Sequence, residues 1–256
     1  MQKGLDDILA KLEELDQRIN ALENKVNING GKVDTVASDF IIQDNVLIKY
    51  IGKGGTVVIP YGVKKIEKHA FKYGNKITAV VIPNSVTEIG KSAFMECHDL
   101  EDIVIPNSVV KIGAWAFNYC SNLKVVKLPD SIQTVGVGVF KKCCQLKSVN
   151  IPSCIKTIRE GMFEYCSFLE HVHIPYGITN IEYAAFKGCN SLLHIMIPPT
   201  VVDIHPAAFV YMSHEWHMDS QSIKNDVLTI CGEKSSYAET FALENGFKYE
   251  SKNSSV

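Results

Sequence analysis

The chain has 256 residues, of which 46% are apolar, enough to bury a sizeable core in one large domain or two small ones. Its 26 basic residues nearly balance its 28 acidic ones, so no net field attracts nucleic acid or an anionic membrane. No segment approaches the roughly 18 consecutive apolar residues that a bilayer-spanning helix needs. The composition therefore predicts neither a nucleic-acid partner nor insertion into a membrane.

Residues 1–27 are predicted to form a coiled coil. Seven apolar residues step alternately by three and four, as at the a and d positions of a heptad, with Lys11 and Arg18 at g and Asp16 and Glu23 at e. We expect this helix to join two or three copies of the chain; the alternative is one amphipathic helix packed on its own domain. The a and d residues are Leu5, Ile8, Leu12, Leu15, Ile19, Leu22 and Val26.

The amino terminus also bears on localisation. The stretch from Met1 to Gln17 is charged throughout, whereas a secretory signal has an apolar centre. We therefore expect a cytoplasmic or virion-associated chain rather than a classically secreted one. Residues 28–38, with a central pair of glycines, are predicted to form a flexible linker to the rest of the chain.

A 23-residue repeat fills most of the remaining sequence. Its unit reads L-x-x-V-x-I-P-x-S-V-x-x-I-G-x-x-A-F-x-x-C-x-x. A period between 20 and 29 residues is typical of a leucine-rich solenoid, in which each unit forms one coil and stacks on its neighbours. The repeated prolines are Pro60, Pro83, Pro106, Pro129, Pro152, Pro175 and Pro198, and the repeated phenylalanines are Phe71, Phe94, Phe117, Phe140, Phe163, Phe186 and Phe209.

Each coil is predicted to hold one short strand before its proline, which ends the strand because it has no N–H for the ladder. Side chains alternate along a strand, so Ile103 and Ile105 should point into the core while Asp102 and Val104 point outward. The strands of seven successive coils should form one parallel sheet, and the phenylalanines should form a stacked aromatic column.

This unit resembles the BspA-type leucine-rich repeat of bacterial and protozoan surface proteins, over about Asp39 to Lys248. The resemblance implies a leucine-rich repeat fold. It also implies adhesion or protein–protein recognition rather than catalysis, since the family offers no catalytic motif to transfer. Members of the family usually enter secretion, which the charged amino terminus of this chain does not predict.

The repeat domain is assigned to residues 39–250, followed by a tail at 251–256. At its start, two β-rich runs around Asp44-Asn45 predict a hairpin over Asp39 to Ile51 that closes the first coil. At its end, the rhythm fails after Met212. A strand-like sequence returns at Val227 to Ile230 about ten residues late.

A capping helix is predicted after that last strand. Ser236 and Glu239 have the spacing of a capping box, and Gly246 provides a stop, so the helix should run from Tyr237 to Asn245. Solenoids need such caps to shield their last coil.

Function is expected on the outward strand positions, because the core positions are committed to packing. The first half of this face is apolar for a surface, which indicates either a binding site or cover by the amino-terminal arm or a sister chain. We assign ligand binding to Val81, Asp102, Val104, Lys127, Asn150, His171, His173, His194 and Met196.

Three of these residues are histidines that should lie on adjoining strands. His171 and His194 are one repeat apart, and His173 shares their face. They are consistent with ordinary surface residues, with a pH-responsive part of the recognition face, or with a transition-metal site. No carboxylate is placed beside them by the repeat. We therefore assign no metal ligand, no cofactor and no catalytic residue.

The segment inserted after Met212 and the repeated cysteines are two further candidate sites. The segment Ser213 to Ser222 contains His-Glu-Trp-His, one residue short of the zinc-protease motif H-E-x-x-H, so we reject a protease. Its Trp216 is expected to anchor either a partner or the last coil. The repeat cysteines should be buried and reduced, because stacked parallel side chains hold their Cβ atoms too far apart for a disulfide. They are Cys97, Cys120, Cys143, Cys166 and Cys189.

The sequence thus predicts a non-enzymatic recognition module. Its sheet face would bind a protein or a glycan, and its coiled coil would make weak contacts multivalent. A phage or cell-surface attachment structure would use this design. The alternative is an intracellular scaffold or structural subunit that assembles through the coiled coil and uses the solenoid as a spacer.

Overall fold

The computed structural model of the protein describes residues 37–210 and 227–252. These residues form a solenoid of stacked coils, as the repeat predicts. Each coil contributes a strand to the front of the solenoid, and most contribute a second, two-residue strand to the back. The predicted coiled coil at residues 1–27 and most of the predicted linker lie outside the described residues.

A hairpin opens the solenoid, which confirms the sequence prediction. After a short 3-10 helix at Ala37–Asp39, strand β1 (Phe40–Gln43) pairs antiparallel with β2 (Val46–Tyr50). The two turn residues, Asp44 and Asn45, have φ values of 51° and 62°. Asp and Asn tolerate this left-handed backbone better than other residues with a side chain, so they suit a two-residue turn.

The front of the solenoid consists of parallel strands, and those of the seven repeats each end before the repeated proline. Six of them form one sheet, which we call the front sheet. The last three form a separate parallel sheet, which we call the terminal sheet. In chain order the front sheet comprises β3 (Gly55–Val58), β5 (Ile77–Val81), β7 (Asp102–Val104), β9 (Val125–Val126), β11 (Ser148–Asn150) and β13 (His171–His173); the terminal sheet comprises β15 (His194–Met196), β17 (Thr229–Gly232) and β18 (Lys248–Ser251).

The back of the solenoid is built from two-residue strands, each with its second side chain buried in the core. The hairpin strand β2 leads this parallel ladder, which passes through four coils before a second group of three strands begins. The first group is β4 (Lys65–Ile66), β6 (Glu88–Ile89), β8 (Lys111–Ile112) and β10 (Thr134–Val135); the second is β12 (Thr157–Ile158), β14 (Asn180–Ile181) and β16 (Asp203–Ile204).

The number of coils exceeds the seven that the sequence predicts. Strand β17 pairs in register with β15, so it adds an eighth coil after the one that contains Pro198. The spacing between these two strands is longer than 23 residues, so a search for the repeat by its period stops one coil too early. The late strand predicted at Val227 to Ile230 lies instead at Thr229–Gly232.

The phenylalanine column is a continuous aromatic stack, as predicted. From Phe71 to Phe209, successive ring centroids lie 4.7–5.8 Å apart with interplanar angles of 3–15°. Tyr50 of the hairpin extends the stack at its start. At the other end, Phe241 and Phe247 meet Phe209 edge-on and close the column. Burial of seven aromatic rings in one line accounts for much of the core.

Neighbouring coils are joined by backbone hydrogen bonds as well as by packing. Each repeated phenylalanine from Phe71 to Phe186 donates its N–H to a carbonyl of the next coil; Phe94 donates to Ala116 at 2.8 Å and Phe163 to Ala185 at 2.9 Å. A single coil lacks these partners, so its buried polar groups would be unsatisfied if it stood alone.

The five repeat cysteines are buried, as predicted, and they have a role that the sequence does not reveal. Each thiol donates a hydrogen bond at 3.1–3.2 Å to the carbonyl of the phenylalanine 26 residues earlier, as Cys143 does to Phe117. Burial raises the pKa of the Cys97 thiol to about 12 and raises the pKa values of the other four as well. These thiols are therefore neutral donors at physiological pH.

Helix α1 (Tyr237–Asn245) caps the carboxyl end with the bounds that the sequence predicts. Gly246 follows with φ 68°, the left-handed conformation that ends a helix. The predicted capping box is wrong in detail: Ser236 makes no capping hydrogen bond, and Glu239 accepts from the N–H of Ser235 at 2.6 Å. Within the described ranges, no helix has the length and apolar character needed to cross a membrane.

Candidate functional site

The outward face is the set of side chains that point away from the core on the strands of the front and terminal sheets. Alternation along each strand confirms the predicted directions, since Ile103 and Ile105 are buried while Asp102 and Val104 are half-exposed. Parallel pairing places equivalent positions side by side, with Val58 beside Val81 and Val81 beside Val104. The predicted binding residues that the structure describes lie on these strands, except Lys127, which directly follows β9 (Val125–Val126).

The apolar first half of the outward face is less exposed than its sequence suggests. Val81 is only 7% exposed, and Val58 and Val104 on either side are half-buried. These side chains shield one another across a flat parallel sheet, because neighbouring strands lie only about 4.8 Å apart. Cover by the amino-terminal arm or by a sister chain is therefore not needed to explain the valines.

The middle of the outward face is polar and partly engaged. The Asn150 side chain donates to the carbonyl of Leu128 at 2.8 Å and accepts from the N–H of Leu128 at 3.2 Å. Strand β9 ends at Val126, so the backbone N–H and carbonyl of Leu128 lie beyond the strand, and the Asn150 amide provides hydrogen-bond partners for both. Ser148 is buried, and Lys127 is half-buried. Asn150 thus has a structural task in addition to its place on the face.

The exposed end of the outward face lies on β13 and β15. His171, His173, His194 and Met196 are all exposed, in contrast to the valines. The front sheet ends at β13 and the terminal sheet begins at β15, so the expected ladder between the histidine strands is interrupted. His171 and His173 pair with Ser148 and Asn150 on the other side.

The structure brings His194 together with two residues that the sequence analysis did not select. One ligating atom each from His194, Cys231 and Glu250 lie within 4.8 Å of one another. The expectation that no carboxylate stands near the histidines is therefore wrong, because strand β18 returns beside β17 and places Glu250 opposite Cys231. We call these three residues the terminal cluster.

Cys231 differs from the repeat cysteines in its direction and its environment. It lies opposite Met196 in register, so it belongs to the outward face, yet it is almost fully buried by its neighbours. Burial raises the pKa of its thiol, and the Glu250 carboxylate, 3.7 Å from the sulfur, raises it further, while Lys252 lowers it. No signal in the sequence joins Cys231 to the histidines, since the broken rhythm hides its register.

Two predicted groups of residues lie outside the described residues. They are Trp216 in the inserted segment and the heptad residues of the coiled coil. The predictions for both therefore remain predictions.

A stack of coils with parallel strands, a buried aromatic column and one outward strand face defines the leucine-rich repeat class of solenoid. The family model described as the BspA type leucine rich repeat region matches in six copies, over residues 49–168 and 87–215. These ranges cover more than half of the chain, so the chain belongs to the BspA-type leucine-rich repeat family. No curated protein matches the sequence.

Solved structures of bacterial leucine-rich repeat proteins are similar to this chain. A leucine-rich cell surface protein from Faecalibacterium prausnitzii is 31% identical, with a TM-score of 0.62 over 77% of this chain and 54% of that one. A protein from Eubacterium ventriosum is 25% identical, with a TM-score of 0.60 over 75% and 55%. The leucine-rich repeat protein of T. pallidum is 28% identical, with a TM-score of 0.50 over 62% and 90%. The chain thus spans about half the length of the first two.

Proposed function

We propose that the chain is a non-enzymatic recognition module that binds a protein or a glycan through its outward face. The family supports this role, because leucine-rich repeat solenoids offer broad, regular surfaces for binding. The neighbour from Faecalibacterium prausnitzii, described as a leucine-rich cell surface protein, supports recognition at a cell surface.

The observation that carries the proposal is the change in exposure along the outward face. The aliphatic half is already shielded, whereas His171, His173 and Met196 are open to solvent. Phe168 and Leu193, which precede strands β13 and β15, are 48% and 50% exposed. Aromatic side chains such as Phe168 and thioether side chains such as Met196 are enriched at interface centres, because they combine apolar area with few rotatable bonds or an adaptable shape. We assign the centre of the binding surface to β13 and β15.

The rest of the outward face supplies polar contacts around that centre. Asp102 lies on β7, Asn150 lies on β11 and Lys127 directly follows β9, so all three lie between β13 and the amino end of the solenoid. A polar rim with side chains of both charges suits a protein or glycan surface, where such groups set orientation rather than affinity. Val104 is half-buried and adds some apolar area beside Asp102, whereas Val81 is 7% exposed and adds little.

The proposal is tested by probing arrays of glycans and purified surface proteins with the full-length chain. Any captured probe is then compared with a His171→Ala/His173→Ala/Val104→Glu variant, for which we expect at least tenfold weaker binding, because it removes two exposed rings and adds a charge to the face. The matched control is Lys111→Ala, on strand β8 at the back of the solenoid, which should bind like wild type. Equal binding by both variants would refute the outward face as the site and favour the scaffold role.

We further propose that residues 1–27 join two or three chains and so multiply weak contacts. Linked sites raise apparent affinity by about 10² to 10⁴ without any new contact, provided that the linker lets both sites engage. Size-exclusion chromatography with light scattering should give a dimer or trimer for wild type and a monomer for Leu12→Asp/Ile19→Asp. The control Glu13→Lys, outside the a and d positions, should keep the oligomer. A monomeric wild type would contradict this part of the proposal and leave single-site binding intact.

A further inference from the structure

The terminal cluster has the donors and the geometry of a transition-metal site. It combines an imidazole nitrogen, a sulfur and a carboxylate oxygen, all within 4.8 Å of one another. Zinc accepts these three donor types, at about 2.0–2.1 Å from nitrogen, about 2.3 Å from sulfur and about 2.0–2.2 Å from oxygen. Among the described residues, this is the group of histidine, cysteine and acidic side chains that meets this spacing.

The distance between two of the donors already fits a bound ion. With the bond lengths above and tetrahedral angles, sulfur and oxygen ligands of zinc lie about 3.6 Å apart. The Cys231 thiol donates a hydrogen bond to a Glu250 oxygen at 3.7 Å, so these two atoms already lie at this spacing without an ion. The side chains of His194 and Glu250 are exposed, so solvent has access to two of the three ligands. Zinc sites that keep an open coordination position likewise combine three protein ligands with water.

The backbone holds the three ligands on three neighbouring strands. Cys231 lies at the centre on β17, directly opposite Glu250 of β18, while His194 lies two residues before the register partner of Cys231 on β15. The ligands therefore come from the last repeat, the added eighth coil and the strand that follows the capping helix. An ion bound there would cross-link all three strands of the terminal sheet.

We propose that His194, Cys231 and Glu250 form a zinc-binding site that fastens the carboxyl-terminal cap to the solenoid. The Cys231 thiol gives its proton to solvent when it binds zinc, as thiolate ligands do. Lys252, whose ammonium lies 3.7 Å from a Glu250 oxygen, competes with the ion for that carboxylate. Zinc bound only by the folded chain stabilises it in proportion to the logarithm of its concentration.

Cobalt titration of the full-length, chelator-treated chain tests the site directly. Co²⁺ is a spectroscopic substitute for Zn²⁺, and one thiolate ligand gives a sulfur-to-cobalt charge-transfer band. We expect this band to saturate at one cobalt per chain and to disappear when zinc is added. Cys231→Ser should abolish the band, and His194→Ala and Glu250→Gln should each weaken binding by about tenfold or more.

Matched controls separate this site from other cysteines and histidines. Cys154→Ser removes an exposed thiol elsewhere, and His171→Ala/His173→Ala removes the neighbouring imidazoles; both should bind like wild type. Zinc should also raise the melting temperature of wild type and of the controls, but not that of Cys231→Ser. Circular dichroism without metal checks that each variant folds.

Three results would overturn the proposal. They are the absence of a charge-transfer band in wild type, a band retained in Cys231→Ser, and a band lost in Cys154→Ser. None of them bears on ligand binding at β13, because the recognition variant leaves the terminal cluster intact.

Discussion

The regular coils and the terminal sheet are built from the same kind of parallel strand, but they differ in what their side chains contact. In the regular coils the repeated phenylalanine and cysteine make nearly the same contacts from one coil to the next, as the stacked rings and the five thiol hydrogen bonds show. In the terminal sheet the outward position that holds Val104 in an earlier coil is occupied in turn by Met196, Cys231 and Glu250. Where the repeat is regular, its core side chains serve packing; where it is interrupted, an imidazole, a thiol and a carboxylate meet on the outward face.

This difference has a physical origin. A coil in the middle of the stack has a neighbour on each side, so its side chains must match both of them. The last coil instead packs against helix α1 and strand β18, so its outward side chains need not match those of a following repeat. The following variants test how far the two regions differ, from the largest expected effect to the smallest.

Removal of one ring from the aromatic column should have the largest effect. Phe140 is fully buried and stacks between Phe117 and Phe163 at 5.5 and 5.8 Å. We expect Phe140→Ala to lower the free energy of unfolding by about 3–5 kcal/mol, because it loses apolar burial and leaves a cavity. Urea unfolding followed by circular dichroism measures this change. The control Phe168→Ala, at an exposed ring, should cost less than about 1 kcal/mol. Similar losses for the two variants would contradict a dominant contribution of the aromatic column to stability.

Alkaline pH should weaken the central coils through their thiols. In the unfolded chain a cysteine ionises near pH 8.5, whereas burial raises the pKa of Cys97 to about 12 in the folded chain. Above pH 8.5 the unfolded state therefore binds fewer protons than the folded state, so stability falls as pH rises. The contribution of Cys97 is fully present below pH 8.5 and is lost by about pH 12.

The size of this effect follows from the same pKa difference. Between the unfolded and the folded pKa, each such thiol lowers the free energy of unfolding by about 1.4 kcal/mol per pH unit. Between pH 8 and pH 10, wild type should lose about 2 kcal/mol more than Cys97→Ala, measured by urea unfolding at each pH. Parallel losses in the two proteins would show that the Cys97 thiol is not protected by burial.

Deletion of one thiol hydrogen bond should have a smaller effect. Cys143 donates to the carbonyl of Phe117 at 3.1 Å inside the core. We expect Cys143→Ala to lower the free energy of unfolding by about 1–2 kcal/mol, through the lost hydrogen bond and the lost sulfur volume. Cys154→Ala, at an exposed thiol, should change it by less than about 0.5 kcal/mol. An unchanged free energy of unfolding in Cys143→Ala would show that the thiol hydrogen bond does not stabilise the folded chain.

Ion pairs between coils should contribute least. Lys124 and Glu101 are one repeat apart, with nitrogen and oxygen at 2.7 Å, but both side chains are about half exposed. Solvent and salt screen such a pair, so Lys124→Ala should cost only about 0.2–1 kcal/mol, and less in high salt. A double-mutant cycle with Glu101→Gln isolates the pair. A coupling above about 2 kcal/mol would show that surface charges, rather than core columns, hold the coils together.

The fold followed from the sequence because its period is tied to its packing. The spacing of Pro60 to Pro198 and of Phe71 to Phe209 predicted the stacked coils, the parallel strands and the aromatic column, and the Asp44-Asn45 pair predicted the hairpin turn. These features rest on local backbone preferences and on contacts between equivalent positions. The 23-residue period and the turn residues are therefore enough to place these features along the sequence.

The eighth coil and the terminal cluster required the tertiary structure. Cys231 and Glu250 are 19 residues apart with a helix between them, and their pairing depends on how α1 returns the chain to the sheet. The exposure of the outward face was also undetermined, because the shielding of Val81 depends on side chains of adjoining strands. Sequence alone thus determined which residues repeat, and hence the core. The fold decided which residues meet where the repeat stops, because those contacts join positions that no period relates.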